Sequence, residues 1–235
     1  PEAPPPEEPV EVAPTAEVAH GEPPAAEERR ESGGEAEVRF QRAEEAFARF
    51  QSLERPGFKA ERQLPDEVRA WWREKQGPDK AREWEEMIRF LPPDDRRKQL
   101  GSVQFQHWVE KGFRPWLEVA SADVAEATKL YAAVAELHDP EWEVAAAAQV
   151  GTMHLSMAKA LTTAPMDPSI EGDQELVTIY RSARESSARP YREQAAQAFR
   201  RCVEVARATK VESRWSSLCA DGLAREGGGP TRTTP

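Results

Sequence analysis

Asparagine is absent from this 235-residue chain, and cysteine, histidine and tyrosine are scarce at two, four and three residues. Each shortage excludes some chemistry. No CxxC pair occurs, and none of His20, His107, His138 and His154 belongs to an HExxH arrangement, so no zinc site is expected. No GxxxxGK[ST] or GxGxxG run is present to cradle a nucleotide, and no Ser occupies a GxSxG elbow. Neither cysteine has the local signature of a nucleophile. The expectation is a non-catalytic chain without metal, cofactor or small-molecule substrate. No run of 18 apolar residues exists, so no helix is expected to span a bilayer. Lysine is outnumbered by arginine, 8 to 24, a skew attributable to GC-rich coding sequence. The basic residues form no stripe, which argues against nucleic acid as a partner and against a polybasic membrane patch.

Negative charge is plentiful but uneven. The formal net charge is −10, and residues 1–38 hold eleven Glu against Arg29 and Arg30, leaving the rest nearly neutral. Residues 1–35 alternate Pro with Glu, Ala and Val, with prolines at 1, 4, 5, 6, 9, 14, 23 and 24. Such a composition buries too little apolar surface to offset ordering entropy. It reads as a disordered acidic leader, either a tether to an anchor or a passive solubilising tail. The chain opens on Pro1 rather than Met, so Pro1 is read as following a removed signal segment or a trimmed end.

From about Glu35 the pattern is helical. Phe40, Ala43, Phe47 and Phe50 fall at i, i+3, i+7 and i+10, one apolar face of a helix. Breaks are expected at Pro56-Gly57, Gly77-Pro78, Pro92-Pro93 and Pro115, which makes residues 36–115 an irregular Trp-rich helical region. Residues 116–226 read as longer helices, with a turn at His138-Asp139-Pro140, a loop at Pro165–Pro168 and a new helix starting at Pro190. Residues 227–235 read as a disordered tail. No strand pair is expected, because alternation never extends beyond a few residues.

A shift of 68 residues brings positions of like class together. Ala127, Tyr131 and Val134 fall on Ala195, Phe199 and Cys202, and Val150-Gly151 falls on Leu218-Cys219. Sixty-eight is twice the 34-residue tetratricopeptide period. Val150-Gly151 with His154, the Ala195–Phe199 pair, and Trp215 with Leu218 resemble elements of that repeat over roughly residues 120–225. The stretch from Pro190 to Cys219 resembles the repeats of envelope and periplasmic proteins of bacterial gliding-motility machinery. Residues 165–190 and 36–115 depart from the pattern. The resemblance implies an all-α, tetratricopeptide-like solenoid of helical hairpins acting as a periplasmic or outer-membrane-associated scaffold. Its partners would be other proteins, namely envelope-complex subunits, with membrane attachment only through an upstream anchor. An outer-membrane assembly or secretion accessory lipoprotein is the alternative, and a cell-wall-remodelling enzyme the alternative of another class.

Cys202 and Cys219 stand about equally far from a turn centred near residues 210–211, so two antiparallel helices place them at one height. A disulfide is then geometrically allowed and would point to an oxidising compartment; two buried thiols are the other reading. Trp71, Trp72, Trp84, Trp108 and Trp116 crowd into one stretch, either as core or as a binding patch. Trp71 and Trp72 point about 100° apart on a helix, so one of them has room to face solvent. A groove is expected along Ala145–Ala148 with contacts near Gln149, His154 and Arg181; these three, and Trp71 and Trp72 as a separate aromatic patch, are the candidate partner-binding residues.

Overall fold

The computed structural model describes the backbone of residues 26–227 and the side chains of residues 34–226. Residues 1–25 and 228–235, most of the expected leader and tail, lie outside the described residues. Among the described residues the chain forms helices and loops, with no strand.

Helix α1 (Ala26–Ser52) starts inside the stretch read as leader. Ala26 through Glu31 are mostly strong helix formers, and helix continues through Gly33-Gly34 although each glycine costs about 1 kcal/mol there. The expected apolar face is buried: Phe40, Ala43, Phe47 and Phe50 are at most 7% exposed. A pinned loop follows. Arg55 donates to the carbonyl of Ala160 at 2.9 Å. The Gln104 amide accepts from Glu61 N–H at 2.7 Å and donates to Glu61 C=O at 3.0 Å. One buried side chain thus supplies both partners a strand would give that residue.

Helices α2 (Asp66–Gln76) and α3 (Pro78–Arg89) fold back on each other around Gly77, whose φ of 84° lies in the left-handed region that favours glycine. Trp71 and Trp72 are buried together with Leu64, Val68, Ala81, Ile88, Leu100 and Val103. Packing against both the facing helix and α4 consumes both indoles. The reading of Trp71 or Trp72 as partner-binding is corrected accordingly: each is 9% exposed or less.

Helix α4 (Pro93–Trp108) does not stop before Pro115 as expected. It passes through a π-helical turn, Val109–Phe113, straight into α5 (Arg114–Ala135). In that turn Arg114 N–H reaches back five residues to the Val109 carbonyl. The wider turn gives the Pro115 ring room against the preceding backbone, and the missing N–H falls where the regular ladder is already interrupted. A proline that reads as a terminator is therefore interior, and no boundary exists at residue 115.

Helix α1 packs antiparallel to α5, so it belongs with the C-terminal helices and not with the Trp-rich region. Helix α6 (Pro140–Thr162) follows, capped by the Asp139 carboxylate, which accepts from Glu141 and Trp142 N–H at 3.1 and 3.3 Å. It touches α1, α5, α7 and α8 and is the centre of the bundle.

Helix α7 (Gln174–Thr209) is continuous through Pro190, where a new helix was expected. An interior proline costs about 3 kcal/mol. Packing on both sides of it offsets that cost: Ala188 lies with Ala158 and Leu161 of α6, and Ala195 with Val144 and Ala148. Residues 165–190 accordingly form a loop and the first half of α7, not a helical hairpin of their own. Lys210, at φ 57°, turns the chain into α8 (Arg214–Gly227). The Cys202 and Cys219 sulfurs are bonded, joining α7 to α8 with Cα atoms 6.1 Å apart.

A candidate binding cleft between α5, α6 and α7

Alanine sets the geometry here. Ala145, Ala146 and Ala148 of α6 are buried against its neighbours, and small side chains let the helix axes approach closely. The same smallness leaves a cleft of about 390 Å³ on one side, where α5 and α7 flank α6. Its wall is almost wholly apolar: Ala132 and Ala135 from α5, Ala146, Ala147 and Val150 from α6, and Ala198 from α7. Tyr131 lies at its base, 1% exposed.

A polar network lies beneath that floor. The Tyr131 hydroxyl donates to Glu44 Oε1 at 2.5 Å, and the Gln149 amide donates to the same oxygen at 2.6 Å. Glu44 is half-buried on α1, so three helices meet at one carboxylate. Burial, reinforced by the hydrogen bond to the Glu44 carboxylate, pushes the Tyr131 phenol well above its ordinary range. At the rim, Arg201 donates to Glu143 Oε1 through Nη2 at 2.7 Å and Nε at 3.1 Å. The Glu143 side chain is 11% exposed and that of Arg201 65%, so the pair presents its cationic end to solvent.

His154 sits deeper, 4% exposed, with Nε2 3.4 Å from Thr128 Oγ1 and no partner for Nδ1. Desolvation holds its pKa below the usual value.

The expected groove along Ala145–Ala148 thus has a counterpart, but its expected contact residues do not line it. Gln149 and His154 are buried beneath it, where α6, the helix they share, is closed over by α1, α5 and α7; as surface contacts both are corrected. Arg181 is exposed, but twenty residues before Arg201 on α7, about 30 Å away along the helix. Trp71 and Trp72 lie in the separate cluster of α2–α4. Ala132 and Ala135 carried no recognisable motif, and Ala198 and Arg201 lay within the repeat-like stretch from Pro190 to Cys219 without standing out as contact residues.

Among the described residues no group of three or more His, Cys, Asp or Glu side chains is placed to hold a metal ion, and no helix is long and apolar enough to cross a membrane. No protein-family model, curated protein or solved structure matches the chain.

Proposed function

We propose that the chain is a non-catalytic protein–protein interaction module of the bacterial cell envelope, working outside the cytoplasm, and that a partner segment docks in the cleft between α5, α6 and α7. The observation that carries this reading is the cleft itself: an open apolar groove between three helices, walled by side chains small enough to admit another backbone. Helical folds that read peptides use such grooves, and apolar anchors of the guest supply the affinity.

Two further features support it. The 68-residue correspondence pairs positions of matching burial: Ala127, Tyr131 and Val134 on α5 and Ala195, Phe199 and Cys202 on α7 are each at most 1% exposed. This favours a tetratricopeptide-like origin for the α5–α6 and α7–α8 hairpins. The Cys202–Cys219 bond favours an oxidising compartment, the periplasm or the outer-membrane surface. Within that compartment a gliding-motility complex is the first place to seek the partner, and an assembly or secretion complex the second.

Ala132 is exposed and Ala198 half-buried, so each accepts a larger side chain facing the cleft. The test is recovery of partners from envelope extract on the wild-type chain and on Ala132→Trp and Ala198→Trp. Loss of one envelope partner in both variants, at unchanged thermal stability, is the expected result. Equal recovery removes the cleft from the proposal, and recovery of cytoplasmic proteins alone removes the compartment.

A further inference from the structure

A second cleft, of about 550 Å³, lies at the other end of the molecule, where the loop before α2 meets α2, α3 and the start of α4. Arg62, Arg69, Arg73, Arg89 and Arg96 all line it, and Glu85 is its one lining carboxylate. These arginines are scattered over 35 residues among acidic neighbours, so they form no stripe in the sequence; the fold of α2 on α3 gathers them.

The five differ in what they are free to do. Glu85 is shared by Arg69 and Arg73, at 3.8 and 3.4 Å. Arg96 caps the end of α3, donating to the carbonyls of Ile88 at 2.9 Å, Arg89 at 2.5 Å and Leu91 at 3.1 Å. Arg62 and Arg89 are exposed, and no salt bridge among the described residues reaches either. The cap also fixes the α3 tip, where Phe90 stands 89% exposed beside Met87 at 52%. Positive charge and an uncovered aromatic ring therefore adjoin, with half-buried Trp84 on the cleft wall. Carboxylates pair with such guanidinium groups, and proline-rich backbone stacks on aromatic rings.

The chain itself contains a segment of that chemistry. Residues 1–25 hold six Glu and eight Pro, with no Lys or Arg. We propose that the arginine cleft binds this acidic, proline-rich segment, and that it does so between two copies of the chain.

Reach decides between one copy and two. Arg39 lies beside Ala133, its guanidinium on the Ala133 carbonyl. Ala26 lies 13 residues before Arg39 on α1, and Leu100 of the cleft lies 33 residues before Ala133 on the continuous α4–α5 rod. At 1.5 Å per residue these add to about 70 Å. Twenty-five residues span at most about 90 Å at full stretch. Only about the first six residues would arrive within one copy, short of Glu7, Glu8 and Glu11, while a second copy's segment enters without that constraint. The contact is head-to-tail, the type that builds rings or open chains.

The test is equilibrium sedimentation of the full chain and of Arg62→Glu/Arg89→Glu, which alters no ion pair of the body. Reversible association at low salt is expected, falling by roughly tenfold or more in the variant and at high salt. A Glu7→Arg/Glu8→Arg/Glu11→Arg chain, altered only outside the described residues, loses the same association, and mixing it with the cleft variant restores association. A wild-type chain that stays monomeric at low salt overturns the proposal, as does association indifferent to both variants. Saturable tripolyphosphate binding at the cleft, without binding of a synthetic 1–25 peptide, also overturns it and makes the cleft a phosphate site. None of these substitutions touches the cleft between α5, α6 and α7, so this proposal and the proposed function fail separately.

Discussion

Gly151 on α6 faces the ring of Phe199 on α7 so closely that a Cβ at Gly151 would lie 2.6 Å from Phe199 Cδ1. Gly222 of α8 does the same from another helix, 2.6 Å from Cε2. Phe199 is 1% exposed and held between two helix backbones.

Gly151→Ala and Gly222→Ala should therefore each destabilise the fold by about 1–3 kcal/mol, against the small gain that Gly→Ala gives in an open helix. The two share one ring and should not add. Urea midpoints check this, and Phe199→Leu in either background should recover part of the loss.

Alkaline stability should report on Tyr131. The phenol is raised in the folded state, so its contribution is complete below the ordinary tyrosine pKa of about 10 and is lost as pH rises above it. The slope is at most about 1.4 kcal/mol per pH unit, one proton's worth. Tyr131→Phe should cost about 0.5–1.5 kcal/mol at neutral pH, through the lost hydrogen bond to Glu44, and should flatten the slope. Denaturation curves of both proteins on either side of pH 10 decide it.

His154 should act at the acid end. Its folded pKa is lowered, so the unfolded chain takes up a proton first, and stability falls as pH drops through the unfolded value of about 6.5. His154→Gln should remove that part of the pH dependence; an unchanged acid limb would show that another group carries it.

Reduction of Cys202–Cys219 should lower stability by roughly 3 kcal/mol in the chain-entropy model. Both sulfurs are buried, so reductant should act slowly on the native protein and quickly once it is partly unfolded. Intact mass without reductant shows the bond, and urea midpoints with and without reductant measure its contribution.

Gln104→Leu should cost about 1–3 kcal/mol by leaving both polar groups of Glu61 without their buried partner. Hydrogen exchange should then rise across the loop between α1 and α2 before it rises elsewhere.

The helices were legible because their evidence is local. The Phe40–Phe50 stripe, the Asp139-Pro140 start and the equal spacing of the two cysteines about one turn each act within a few residues of chain. Pro115 and Pro190 misled for the same reason. Whether a proline ends a helix depends on what the helix packs against, and a five-residue wide turn or a long partner helix leaves no mark nearby. The clefts were hidden more completely. Ala132 and Ala198 line one groove only because α6 brings α5 and α7 together, and Arg62 meets Arg89 only after α3 folds back on α2.

The continuous rod from Pro93 to Ala135 makes the molecule stiff along its length. Load applied at the arginine end travels along the rod as far as Ala135 through one unbroken backbone, with no loop in between to stretch. The π turn at Val109–Phe113 is the one place on that line with an irregular ladder, so a pull between the two ends should first make the rod yield there, as a fuse in a strut.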